Sequence, residues 1–502
     1  MNLIERYADN ISGVLSCFDR LIIQGTVPGW CYAGGMTTFL HVNQIRIFDF
    51  PQWANDRREE LRLNAERLAT EHGLQIEFIR KIKAFRKEQR VKEILEQRGL
   101  APGLVHIFSA METCYRYQPW HDKPTGKTAL KSSSGKCLHY YFYFIDQQYG
   151  LCYLRVPTWA PFRLQFYCNG HNRLQVKLAQ QQIAYLMREN AFLHVADGVA
   201  AQELADHFRI EDLHQALDIF ARRYCPVVAR YELACHWSIM QAEYATDIIF
   251  TTAKDLQYVY EPLIRTAVHS VKPENIATFF GQKLHPLYQG EMGNHLNTRI
   301  LGTRIKHQMQ DATIKMYDKF GLVLRIETTV NNVSQFKVYR EVQHRDGSAV
   351  MKYAPMAKSI YSLAALQTVL KAANRRYLEF LSALDDPSDG VRKLEQVTRP
   401  VTVKDRAFPG FNFFATADLN LFEFLARGEH QIAGFYHKTL QKFFPEQSRY
   451  KLSRTLKRLR VHGLIKKVGK TYKYYVTRLG KAVISAGLSI REMTLIPLLA
   501  KS

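Results

Sequence analysis

The chain has 502 residues, 47% hydrophobic and 12% aromatic, with a formal net charge of +23. That length predicts about two to four domains with real cores, and the charge predicts a polyanionic partner. No stretch approaches the roughly 18 apolar residues of a membrane span and residues 1–6 lack a secretory core, so a cytoplasmic chain with no membrane partner is expected.

The elements follow in chain order. Residues 14–27 read as a strand carrying Asp19, 52–72 as a helix stopped by Gly73, and 74–79 as a short strand. Residues 80–92 hold seven basic side chains against the single acid Glu88, and open a helix that runs to 97. Residues 104–111 form an apolar strand. Residues 119–136, with Pro119, Gly126, Gly135, three serines and four lysines, lack periodicity and read as a mobile basic loop. The aromatic strand 137–145 pairs with 150–156 through a turn at Asp146, and 162–168 adds a third strand. Helices dominate 170–224 and 254–280, a β region covers 299–343, and a long helix spans 362–384. Residues 385–390 break that helix, and 387–415 read as a linker. The eight cysteines are scattered with no Cys-x-x-Cys pair, as in a reduced chain without a zinc ribbon. The fold class expected is α+β: a mixed or antiparallel sheet with helices over 1–386, as one body or as two subdomains (1–225 and 226–386).

The densest chemistry lies at 302–329. Strand alternation puts Leu324, Ile326 and Thr328 on one face and Val323, Arg325, Glu327 and Thr329 on the other. Tyr317 sits on the pairing strand, with Arg304, Lys306 and His307 nearby in sequence. A tyrosine beside a carboxylate, flanked by cations, suits attack on a phosphodiester: the tyrosine oxygen as nucleophile, Mg²⁺ or Mn²⁺ on the carboxylate, and cations against the developing charge. The pattern Tyr-Asp-Lys, a hairpin, then Leu-Arg-Ile-Glu resembles a motif of plasmid rolling-circle replication initiators. That resemblance covers residues 312–331 and implies Tyr317 as nucleophile, Glu327 as metal ligand and Asp19 as a second ligand. A histidine metal pair of the His-hydrophobic-His type is absent. A tyrosine-free alternative is a two-metal nuclease or transposase built on Asp19, Asp146 and Glu327. The non-catalytic alternative is a buried hairpin whose Arg325 and Glu327 pair across strands.

Residues 416–502 read as three helices and a basic hairpin. Asp418 is the expected N-cap of the first helix, the second spans 435–444, and Leu452, Leu456 and Leu459 line the inner side of the third. Strands 464–468 and 471–476 meet at Gly469-Lys470. Residues 415–502 carry 17 Lys/Arg against 5 Asp/Glu, a net +12 and about half of the chain's excess. The order resembles the winged helices of MarR- and ArsR-type regulators. The resemblance implies duplex DNA contacts through Arg449, Lys451, Arg454, Lys457 and Arg458 on the third helix and Lys466, Lys467, Lys470 and Lys473 on the wing. Three functions are therefore expected in turn: a mobile-element or plasmid DNA-nicking enzyme that also takes single strands, a non-enzymatic DNA-binding regulator that senses or oligomerises, and an RNA-binding nucleoprotein component.

Overall fold

A computed structural model of the chain describes residues 3–80, 85–282, 290–299, 302–344, 346–385, 387–469 and 471–500. It forms two compact units, Met1–Ser382 and Ala383–Ser502, each with its own apolar core.

The first unit is built on a mixed sheet of eleven strands among the described residues. In chain order they are β1 (Ile11–Thr26), β2 (Ile76–Ile79), β3 (Gly103–Asp122), β4 (Lys127–Asp146), β5 (Gly150–Pro157) and β6 (Leu164–Cys168). A separate hairpin, β7 (Tyr185–Arg188) and β8 (Ala191–Val195), follows. The sheet then resumes with β9 (His236–Phe250), β10 (Met292–Arg299), β11 (Gly302–Met309), β12 (Ala312–Lys319) and β13 (Val323–Val330). Across the sheet the order is β10-β11-β12-β13-β9-β1-β6-β5-β4-β3-β2, antiparallel except for β2 beside β3. Strands from 1–225 and from 226–386 thus share one sheet instead of forming two subdomains. β1 lies at the join, between β6 and β9, because its apolar residues are buried on both sides along much of its length.

One face is closed by helices. Phe142 and Phe144 of β4 stack on Tyr224 of the helix Ile210–Tyr224 at 4.7 and 5.3 Å. The helix Leu363–Asp385 turns Leu366, Leu370, Tyr377 and Leu381 inward, all with 0% exposure. Its buried Asn374 donates to the carbonyls of Tyr244 and Ile326 and accepts from Thr328, so the helix is bonded to the sheet as well as packed on it. The opposite face is covered at one end by the helices Gly170–Gln180 and Gly198–Asp206 and by β7–β8, which pack on Leu15, Cys17, Ile249 and Val323.

Residues 119–136 are not a loop. Pairs from Pro119↔Leu130 to Asp122↔Lys127 continue the β3–β4 ladder, and only a tight turn with Gly126 at φ +67° separates the strands. The polar side chains sit on a ribbon whose backbone bonds are satisfied across the pair, so composition was a poor guide to order.

The second unit begins earlier than expected. Residues 387–415 carry the helix Pro387–Thr398 and a hairpin of Val401–Val403 with Arg406–Phe408. Val397 and Phe411 lie in one core with Phe422, Leu425, Leu456 and Ile484, so the segment belongs to the folded body. Helices follow at Thr416–Ala426, Gly428–Ala433, His437–Phe443 and Arg449–Val461. A three-stranded sheet orders Phe435–Tyr436, Lys473–Val476 and Ile465–Lys467, and the helix Arg478–Ile490 comes after it. Asp418 is not an N-cap; Ala415 holds that position and Asp418 is buried. The expectation that no segment reaches membrane length is also revised. Arg478–Leu499 runs 22 residues, long and apolar enough to cross a membrane by length and composition. Its first half nevertheless packs Leu479, Val483 and Ile484 into the core of this unit.

Candidate metal centre

Three neighbouring strands, β1, β9 and β13, each contribute one carboxylate to a cluster on the partly open face. A bulge in β1 between Phe18 and Arg20 makes Asp19 the extra residue opposite β9. Glu243 of β9 pairs with Arg20 on one side and Thr329 on the other. Glu327 of β13 lies between Ala245 of β9 and Lys315 of β12. Asp19, Glu243 and Glu327 each offer an oxygen, and these oxygens lie within 4.8 Å of one another. Such a cluster of hard oxygen donors could hold a metal ion.

A buried charge network fixes Asp19. Arg325, fully buried, donates Nε–H and Nη2–H to Asp247, both at 2.6 Å, and Nη1–H to Asp19 Oδ1 at 3.2 Å. His171 lies between the two acids, with Nδ1 3.0 Å from Asp19 Oδ1 and Nε2 3.2 Å from Asp247 Oδ2. Asn190 donates to the same Oδ1 at 2.7 Å and Asn169 at 3.5 Å. All these contacts converge on Oδ1, which leaves Oδ2 outside the set. Burial alone would raise Asp19, but the Arg325 charge and the His171 contact hold it well below the usual carboxylate range. The helix Gly170–Gln180 can bring His171 this close because Gly170 has no side chain: a Cβ there would stand 2.1 Å from the Phe18 carbonyl oxygen.

The other two acids are held differently. Glu327 Oε1 accepts from Lys315 at 2.6 Å, and Oε2 accepts from the Tyr317 hydroxyl at 2.6 Å. Burial and then the Glu327 charge push Tyr317 well above its ordinary pKa, so the hydroxyl keeps its proton. Among the described residues the one ion pair of Glu243 is with Arg20, at 3.7 Å. Burial and the neighbouring Glu327 charge raise its pKa, the signature of negative charge that is incompletely offset.

The predicted residues divide clearly. Asp19, Tyr317 and Glu327 converge. Arg304 and Lys306 of β11 pair with Tyr317 and Lys315 of β12, on the same face. Burial and the charges of Lys315 and Arg304 lower the Lys306 pKa. His307 points to the other face and is no part of the cluster. It is fully buried between Asn294 Oδ1 (2.7 Å) and the Tyr377 hydroxyl (2.9 Å), and burial lowers its pKa to about 4. Asp146 is no part of it either: its Oδ1 accepts from the Gln148 and Tyr149 amides at 2.7 and 3.0 Å, which makes it a turn residue at the end of β4. Arg325 and Glu327, two apart on one strand, each find partners across strands, Asp247 on β9 and Lys315 with Tyr317 on β12. Glu243 and Asp247 escaped the sequence reading. Their signal was two acids four apart within the apolar run of 236–250.

In the second unit, Arg449, Lys451, Arg454 and Lys457 are exposed on one helix, Lys466 is exposed, and Lys467 and Lys473 are partly so. Arg458 is not outward. It donates to Asp418 at 2.6 and 2.9 Å and to the Pro409 carbonyl, and it stacks 3.8 Å from the Phe411 ring centre. Lys470 lies outside the described residues. Comparison of the chain with protein-family models, curated proteins and solved structures finds no match, so the meaning of the carboxylate cluster rests on its own geometry.

Proposed function

We propose that this chain is a metal-dependent enzyme of a plasmid or mobile element that nicks and rejoins a nucleic-acid strand through Tyr317. The observation that carries the reading is the Tyr317 hydroxyl bonded at 2.6 Å to Glu327, itself one of three clustered carboxylates. In the proposed step the Tyr317 oxygen attacks the phosphorus and its proton passes to Glu327 Oε2. The bond from phosphorus to the leaving sugar oxygen breaks, giving a phosphotyrosyl adduct and, once that oxygen is protonated, a free hydroxyl. Arg304, Lys306 and Lys315 lie on the same face to offset charge on the transferred phosphoryl oxygens. Lys306, on that face, is the ammonium proposed to give the leaving oxygen its proton. Mg²⁺ or Mn²⁺ on Asp19, Glu243 and Glu327 would supply further charge neutralisation.

The second unit is read as a winged helix that grips duplex DNA. In support, Arg449–Val461 exposes five cations, Arg449, Lys451, Arg454, Lys457 and Arg460, beside a short basic hairpin. A second reading of the first unit uses the same carboxylates with water as nucleophile, and the raised pKa of Tyr317 favours it. Labelled single-stranded and duplex DNA, and RNA of the same sequence, are incubated with the full chain with and without Mg²⁺ and run on denaturing gels. A metal-dependent protein–DNA adduct that vanishes in Tyr317→Phe is expected. Cleavage that survives in Tyr317→Phe moves the reading to water attack. Tight binding with no product from any substrate refutes both.

A further inference from the structure

The same face of the sheet holds a cavity of about 400 Å³ further along β1 and β9, lined by Gln24, Gln241, Arg155, Arg163, His139 and Trp159 among others. That volume is in the range of small-ligand sites. Its chemistry differs from that of the carboxylate cluster, because no Asp or Glu lines it. Arg155 is bonded to Glu112 at 2.8 Å from outside the lining, but Arg163 has no carboxylate partner among the described residues and lies over the Tyr115 ring at 4.5 Å. Arg155 Nε, Arg163 Nε and Trp159 Nε1 are buried donors with no hydrogen-bond partner. These three atoms lie beneath the cavity wall, so the ligand preference follows from the lining itself: two guanidinium groups and no acid, which suits an anion. His139 donates Nδ1–H to the Cys137 carbonyl at 3.1 Å, which leaves Nε2 to accept from a ligand N–H or hydroxyl. Burial and then the Arg155 charge lower the His139 pKa to about 4, so that nitrogen stays unprotonated.

The position is as informative as the lining. Gln241 lies two residues from Glu243 on β9, about 7 Å along a strand, and Gln24 shares β1 with Asp19. We propose that the cavity is a nucleotide subsite: Arg163 and Arg155 take one phosphate and Trp159 stacks on its base, while an adjoining phosphodiester of the same single strand lies over Asp19, Glu243 and Glu327. The proposal rests on the strand-cleaving reading and names how the strand is held.

The test is a titration of the full chain with tetrathymidylate, read by quenching of tryptophan emission, beside a titration with inorganic phosphate. Saturable quenching by the tetranucleotide is expected, lost in Trp159→Phe and shifted about tenfold to higher concentration in Arg163→Gln. The salt dependence of binding should also fall by about 0.7 in log–log slope in Arg163→Gln. Trp120→Phe, exposed on the β3–β4 ribbon and outside the cavity lining, should keep the quench. Quenching that is unchanged in Trp159→Phe overturns the proposal, as does inorganic phosphate that binds as tightly as the tetranucleotide. Failure of strand cleavage with the Trp159-dependent quench intact refutes the enzyme reading and leaves the subsite standing.

Discussion

Replacing Arg325 by Met tests the charge network most directly. The guanidinium is fully buried and donates to both Asp19 and Asp247. Met conserves much of the volume, so the loss is chiefly electrostatic. Removing one partner from a buried ion pair costs about 3–5 kcal/mol, because the remaining charges stay desolvated. The pH dependence follows from the acids. Burial would raise Asp247, but Arg325 and then His171 hold it down to about 2. In the native chain this acid therefore adds stability above its unfolded value of about 3.9, lost as pH falls through 2. In Arg325→Met the largest influence that lowers the two acids is gone while burial remains and His171 still lies between them, so both carboxyls titrate at higher pH and the deficit narrows as pH falls. The deficit should be largest near pH 7.5 and shrink by pH 5. Urea titrations followed by tryptophan emission report this unit alone, since all five tryptophans precede residue 383. A deficit below about 1 kcal/mol at pH 7.5, or one no smaller at pH 5, would refute the argument from uncompensated burial. Adding Asp247→Asn to Arg325→Met should recover part of the loss, because the pair is coupled.

His307 sets an acid limit of its own. Its folded pKa of about 4 lies below an unfolded value of about 6.5, so the unfolded chain takes up a proton that the folded chain refuses. About 3 kcal/mol present above pH 6.5 should be lost as pH falls to 4, and urea titrations of His307→Gln should show a flatter acid limb. Mn²⁺ at a hundredfold excess over its Kd should stabilise the wild type by about 2.7 kcal/mol in a thermal-shift assay. Glu243→Gln should reduce that shift, and retention of the full shift would remove Glu243 from the site. In the second unit, Arg458→Met should cost about 2 kcal/mol by leaving Asp418 unpaired. Arg454→Gln should leave stability intact and lower the salt slope of duplex binding by about 0.9.

Local periodicity revealed much of the hairpin at 312–330. The alternation that separates Leu324 and Ile326 from Arg325 and Glu327 survives in the structure, and the turn carries Phe320 and Gly321 at φ 59° and 73°. The helices 50–71 and 363–385 were legible for the same reason, since each repeats its apolar residues every three or four positions. Convergence was not legible. Asp19, Glu243 and Glu327 meet only because β1, β9 and β13 are neighbours, and no local pattern encodes strand order. His307 misled because closeness in sequence to Lys306 means opposite faces on a strand. Asp418 and Arg458 misled because a capping residue and a basic helix residue have the same signature whether exposed or locked together.

The placement of β1 also constrains the order of events during synthesis. Its hydroxyl bond from Ser16 to Thr246 spans 230 residues. At ribosomal rates β1 waits roughly 10–50 s for that partner to appear, and Glu327 emerges later still. A nascent chain therefore holds Asp19 without its companions and cannot assemble the carboxylate cluster until nearly two-thirds of the protein exists. On the proposed reading, fragments truncated before residue 327 should not cleave, and those truncated before β9 leave the β1 edge unpaired, which makes them natural clients for chaperones.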